Sequence, residues 1–212
     1  MEKISTIILD LGGVILNLDQ ELTFQNFSKL GFDLEKLNDE STLFNDFEKG
    51  FINETDFRSG LKKLIEENVS DEKINEAWNS MLLDLPEERI ELIKQLKLNY
   101  EVYLLSNTNS IHISWFNNYF ENSFENEKWE MLFNRIFYSH EIGFRKPNAD
   151  IYEFILNEIG KTAKECIFID DNKLNLEGAE SIGIRTIWAK QPLSKTTLAE
   201  IKMISDAVAE RM

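Results

Sequence analysis

From residue 98 onward, short apolar runs alternate with longer segments of helical spacing, the pattern of a parallel sheet covered by helices. The runs are Val102-Tyr103-Leu104-Leu105, Ile136-Phe137-Tyr138, Ile167-Phe168-Ile169 and Thr186-Ile187-Trp188; with Ile7-Ile8-Leu9 near the start they make five candidate strands. Between them, residues 86–98, 110–120, 148–159 and 172–181 read as helices. The third begins after Pro147, a residue favoured in a first turn, and Gly160 and Gly183 are suited to stop helices. Residues 121–129 read as a polar connection, and a terminal helix is expected from Lys195.

Residues 20 to about 85 follow a different rule. Leu22, Phe24, Phe27, Leu30, Leu34, Leu37, Phe44, Phe47, Phe57, Leu61, Leu64, Ile74, Trp78 and Met81 recur at mostly helical intervals without a clear strand. An all-helical insertion leaving the sheet at the C-terminal end of a strand can cover the crevice where open α/β sheets bind ligands, so it reads as a lid. The expected architecture is α/β: a Rossmann-like parallel sheet of five core strands with helices on both faces, residues 1–19 and 86–212 forming the core domain and 20–85 an all-helical cap.

With 212 residues, 42% hydrophobic and 29% charged, the chain has an ordinary globular composition, and 15 Phe give it an aromatic core. The formal charge of −15 argues against nucleic acid or an anionic membrane as partner, because both depend on clustered Lys and Arg. An anionic substrate must then be captured by local positive charge. No apolar run reaches the ~18 to 20 residues of a membrane span, and the start lacks a signal-peptide layout. The lone Cys166 excludes an intrachain disulfide and reads as a small core residue. A cytoplasmic monomer is expected.

Candidate chemistry collects at strand ends. Asp10 stops the first apolar run, and a carboxylate there needs a partner, since burying it unpaired is costly. Gly12 and Gly13 then remove Cβ atoms where a ligand or another backbone must come close. Leu104-Leu105 runs into Ser106-Asn107-Thr108-Asn109, which offers a hydroxyl, an amide and free N–H groups suited to an anion, or simply a helix cap. Ile169 runs into Asp170-Asp171-Asn172, with Asn175 one turn on; adjacent carboxylates repel unless a cation or donors compensate, and Mg²⁺ takes such oxygen ligands. Lys146, in Arg145-Lys146-Pro147, precedes a helix start where the helix dipole disfavours a cation, so another interaction should hold it, with Arg145 competing for the same role.

Asp10, then Ser106-Asn107, then Lys146-Pro147, then Asp170-Asp171, is the motif order of the haloacid dehalogenase (HAD) superfamily, which the chain resembles over nearly its whole length. The helical insertion falls where that superfamily places its cap. More narrowly, Leu9-Asp10-Leu11-Gly12-Gly13-Val14-Ile15, Leu105-Ser106-Asn107-Thr108-Asn109, Arg145-Lys146-Pro147 and Ile169-Asp170-Asp171-Asn172 resemble the bacterial alpha-D-glucose-1-phosphatase branch. The resemblance implies a Mg²⁺-dependent phosphatase acting on a small phosphorylated metabolite, with glucose 1-phosphate as one example. It implies Asp10 as nucleophile, forming an aspartyl-phosphate that water hydrolyses. It further implies metal ligation by Asp10, the Gly12 carbonyl and Asp171, with Asp170 coordinating through water or holding Lys146. Ser106 and the Asn107 backbone would bind phosphoryl oxygens, and Lys146 would stabilise nucleophile and transferring group.

The chain departs from the superfamily's commoner Asp-x-Asp pattern at Gly12, where the second Asp serves as general acid and base. Such a group is typically worth ~10² to 10⁴ in rate. Either the substrate has an acidic leaving oxygen, or the lid or the loop after Val14 supplies a substitute, with Asp19 nearest in sequence. A phosphomutase leans on the missing Asp, and a haloacid dehalogenase needs neither a metal nor the Asp170-Asp171 pair. A catalytically weak phosphate-metabolite binding protein is the alternative of another class.

Overall fold

The computed structural model describes residues 3–33, 41–65 and 68–210. Leu34 and Leu37 of the apolar set above lie outside the described residues. Five parallel strands, β1 (Thr6–Leu9), β2 (Glu101–Ser106), β3 (Arg135–Tyr138), β4 (Cys166–Asp170) and β5 (Arg185–Trp188), form one sheet in the order β3-β2-β1-β4-β5. Each contains one of the apolar runs. Leu9 pairs with Leu104 on one side and Ile169 on the other, so Asp10 follows β1 level with the ends of β2 and β4. The chain turns to opposite sides of β1 in building β2 and β4, and this reversal opens a crevice at the carboxyl ends of the strands.

Strand alternation divides the core between two faces. Ile7, Leu9, Leu104 and Ile169 pack with α5 (Glu87–Lys97), α6 (Ser110–Ser123) and α10 (Lys195–Ala209) through Ile93, Phe116 and Ile201. Ile8, Leu105 and Phe168 face the other way and pack with α8 (Ala149–Ile159) and α9 (Lys173–Ser181) through Ile151, Ile155 and Ala179. Gly160, at φ 65°, ends α8 in the left-handed conformation that glycine adopts without penalty. α6 runs past Phe120 to Ser123 and enters the stretch read as a polar connection; Phe120 and Phe124, 5.0 Å apart, extend its apolar stripe by one more turn. Trp129 then buries itself against Phe116 and Phe120.

Between β1 and α5 lie four described helices, α1 (Gln20–Lys29), α2 (Ser41–Glu48), α3 (Glu54–Lys62) and α4 (Asp71–Asn79). They share a separate apolar core of Phe27, Phe32, Phe47, Phe57, Leu61 and Ile74, to which α6 adds Ile111. Phe47 and Phe57 stack at 4.1 Å. The connections into and out of this segment run antiparallel, with Leu18 bridged to Leu82, Asn17 N–H donating to the Asp84 carbonyl and Leu83 N–H to the Asn17 carbonyl. Asp19 is exposed and caps α1 by accepting from Glu21 N–H, so it does not stand at the strand ends as a stand-in for the group missing at Gly12. A side chain one residue before a helix is drawn to the free N–H groups of that helix. No helix among the described residues is long and apolar enough to cross a membrane.

Candidate active site

The sheet's reversal brings the strand-end residues together around one lysine. Lys146 is fully buried, and its ammonium lies 2.9 Å from Asp10 Oδ1 and 2.6 Å from Asp170 Oδ2 while donating to the Leu105 carbonyl at 3.1 Å. Its loop, which joins α7 (Ser139–Ile142) to α8, is fastened at the backbone: Asn107 Nδ2 donates to the Lys146 carbonyl and Lys146 N–H donates back to Asn107 Oδ1, both at 2.9 Å. The Asn107 side chain is thus a positioning group for Lys146. Ser106, at the end of β2, is buried and lines the cleft. Ser139 fixes the same loop by accepting from Thr108 N–H and donating to the Thr108 carbonyl.

Asp170 and Asp171 have different surroundings. Asp170 is fully buried; beyond Lys146 it accepts from Asn172 N–H at 2.7 Å, and Asn175 Nδ2 reaches both of its oxygens at 3.1 and 3.0 Å. Asn175 therefore joins the site from the first turn of α9, three residues after the N-cap Asn172. Asp171 is the more open of the two, beside Gly13. A Cβ on Gly13 would stand 2.3 Å from Asp171 Oδ2, and φ of 71° independently favours glycine there. Trp188, the last residue of β5, donates its indole N–H to the Asp171 carbonyl at 3.0 Å, its ring flanked by the Lys173 and Lys190 ammoniums.

The electrostatics are those of a site short of positive charge. Burial pushes the Asp10 carboxyl well above the usual carboxylate range; Lys146 opposes the shift and Asp170 adds to it. Asp171 is also raised, by burial and then by the Asp170 charge. Burial alone would depress Lys146, but the charges of Asp10 and Asp170 outweigh it and raise the ammonium instead. Asp10, Asp170 and Asp171 each place a carboxylate oxygen within 4.8 Å of the others. One ammonium among three carboxylates leaves negative charge over, and the oxygen-only donor set fits a hard divalent cation.

Above these groups opens a cleft of about 470 Å³. Asp10, Gly12, Ser106, Asn107, Asp171 and Asn175 line its floor, and Phe24, Phe44, Trp78, Met81 and Glu48 line its walls from the helical segment. Five of the helically spaced cap positions, Phe24, Phe27, Phe44, Trp78 and Met81, thus line the cleft, whereas Phe32 and Val69, absent from that set, help fill the cap core. Arg145, the competitor of Lys146, points away from the carboxylates and pairs with Glu48 of α2. At Gly12 an added Cβ would stand 2.4 Å from Leu18 Cδ1, so Leu18 fills the space beside the glycine. His112, Asn109 and Trp78 join α6 to α4: His112 Nε2 donates to the Trp78 carbonyl, Asn109 Nδ2 donates to His112 Nδ1, and the Trp78 indole N–H donates to Asn109 Oδ1. Of this trio only Asn109 stood in a segment singled out from the sequence as candidate chemistry, and it takes the helix-cap reading, accepting from His112 N–H.

The fold and strand-end site define an HAD-type hydrolase, and the comparisons with known proteins agree. The model of the haloacid dehalogenase-like hydrolases matches residues 4–183, and the chain belongs to this family. D-Ribitol-5-phosphate phosphatase of Bacteroides thetaiotaomicron is 29% identical over 188 residues, covering 86% of this chain and 90% of the relative. An HAD family enzyme from Bacteroides thetaiotaomicron, solved in complex with magnesium and inorganic phosphate, is 37% identical and superposes with a TM-score of 0.83 over 92% of this chain and 98% of its own. A HAD-like family hydrolase from Porphyromonas gingivalis, 27% identical, superposes with the same TM-score over 95% of this chain and 98% of its own.

Proposed function

We propose that this HAD-like hydrolase is a Mg²⁺-dependent phosphatase of a small sugar or sugar-alcohol phosphate, with Asp10 as the phosphoryl-accepting nucleophile. The observation that carries this reading is the buried ammonium of Lys146 bridging Asp10 and Asp170 at the ends of two adjacent strands, with Asp171 alongside. The phosphatase among the relatives and the magnesium and phosphate held by a structural neighbour support the same chemistry. The narrower resemblance to glucose-1-phosphatases gives way to a broader substrate class that includes a pentitol phosphate.

In the proposed reaction an Asp10 carboxylate oxygen attacks phosphorus. The bond from phosphorus to the leaving oxygen breaks and its electron pair stays on that oxygen. Water then attacks phosphorus, the bond from phosphorus to the Asp10 oxygen breaks and Asp10 returns as carboxylate; of water's protons one stays on the phosphate and the other reaches the departed alkoxide. Lys146 keeps Asp10 oriented and offsets charge on the transferring group; Ser106 and the Asn107 backbone hold phosphoryl oxygens. Asp170 holds Lys146, and its remaining acceptor positions are taken by Asn172 and Asn175. That leaves Asp10, the Gly12 carbonyl and Asp171 to hold a cation directly. Mg²⁺ when bound supplies neutralising charge that lets one anion approach another. Residues 20–85 are proposed as the lid over this centre, moving about the paired connections at Leu18 and Leu82.

Phosphate release from a panel of phosphorylated metabolites tests the reading. Release should require Mg²⁺, stop on chelation and be abolished by Asp10→Asn. A chelator-insensitive activity, or full activity in Asp10→Asn, would reject it.

A further inference from the structure

The charged groups on the cleft wall that the phosphoryl chemistry does not use are Glu48 and Arg145. Glu48 closes α2 and Arg145 precedes Lys146, so the pair reaches across the cleft from the helical segment to the loop of the site lysine. Arg145 donates through Nε to Glu48 Oε2, and its Nη1 lies 3.4 Å from the Lys146 carbonyl. Among the described residues, neither Glu48 Oε1 nor Arg145 Nη2 has a protein partner. Both residues line the cleft, so one acceptor and one donor are left over there.

The pair is held in place. Two residues after Glu48, Gly50 lies against the core so closely that a Cβ would stand 2.0 Å from the His140 carbonyl oxygen, and its φ is 67°. This contact fixes the end of α2 against α7, the helix that leads into the loop of Arg145. A preorganised donor and acceptor lose little freedom when they bind.

We propose that Glu48 and Arg145 recognise the leaving group and that it is a neutral polyhydroxylated chain, a reading that rests on the phosphatase function above. A hydroxyl both donates and accepts, so neighbouring hydroxyls satisfy Oε1 and Nη2 together. A hydrocarbon leaving group would displace water from both without replacing its hydrogen bonds, which is penalised. A second anionic group would meet the Glu48 carboxylate while Arg145 is already paired. Phe24, Phe44 and Trp78 supply apolar walls for the C–H faces of the chain. Substrate selection at this end of the cleft is therefore made by hydroxyls.

The test compares kcat/KM for D-ribitol 5-phosphate and n-pentyl phosphate, equal in chain length and phosphate, in the Mg²⁺-loaded protein. One or two hydrogen bonds to charged groups predict a preference for the polyol of about 100-fold. In Glu48→Leu/Arg145→Leu the ratio should fall at least about tenfold, mostly through KM for the polyol, and Glu48→Gln should keep more of it. Absence of a polyol preference in the unaltered protein, or loss of both activities by the same factor in the double variant, would overturn the proposal. Acetyl phosphate separates the two levels: its hydrolysis without a polyol preference refutes this inference alone, whereas no release from any phosphate, acetyl phosphate included, refutes the phosphatase reading and this inference with it.

Discussion

Gly12 and Leu18 show how a single position sets the chemistry. On the proposed mechanism Gly12 stands where a proton-transfer group would act, and Leu18 Cδ1 occupies the space its side chain would enter. Gly12→Asp alone must push Leu18 aside, a tolerable movement because the contact is with the end of a flexible side chain. Gly12→Asp with Leu18→Ala makes the room directly. The double variant should gain about tenfold or more in kcat on alkyl phosphates and little on aryl phosphates, whose leaving oxygen needs less protonation. Steady-state kinetics on a leaving-group series reads this out, and an equal gain on both classes would point away from proton transfer. Asp10 and Lys146 were legible in the sequence because a charge beside an apolar strand, or ahead of a helix, is anomalous by itself. The side-chain role of Asn107 and the Leu18 contact were not, because each depends on which atoms of distant segments meet.

At the scale of elements, the junction of α4 and α6 joins the helical segment to the sheet domain. Trp78 stacks on His112 with ring centres 4.8 Å apart, and the Trp78 carbonyl accepts from both Thr23 and His112. Burial drives the His112 imidazole down to about 4, which keeps it neutral with Nδ1 as an acceptor. A histidine with a folded pKa below its ordinary 6.5 contributes stability that is present above pH 6.5 and is lost as pH falls toward 4. The loss attributable to His112 over that window should be roughly 3 kcal/mol. Urea unfolding at a series of pH values should show a shallower decline for His112→Gln than for the unaltered protein, and parallel curves would refute the assignment. Strand and helix order was legible here because periodicity reports burial. Cleft-wall residues such as Phe24 and Phe44 were not separable from core residues, since both obey helical spacing and only the opposing surface distinguishes them.

For the molecule as a whole, a parallel sheet reverses direction at β1, gathers three carboxylates and one lysine at its carboxyl edge, and is overlain by a helical segment joined to it through paired connections. This order was legible because three of the four motifs fall at strand ends and the fourth just before a helix start, where the topology brings them together. The Glu48–Arg145 contact was not, because it joins residues 97 apart on segments whose packing no local pattern specifies. On the proposed mechanism every phosphate released passes through Asp10. Acid quenching of the Mg²⁺-loaded protein during steady-state turnover of a hydrolysed phosphate ester, followed by peptide mass spectrometry, reads this out. The peptide containing Asp10 should carry one phosphoryl group, absent from Asp10→Asn; phosphate release with label on another residue would contradict it.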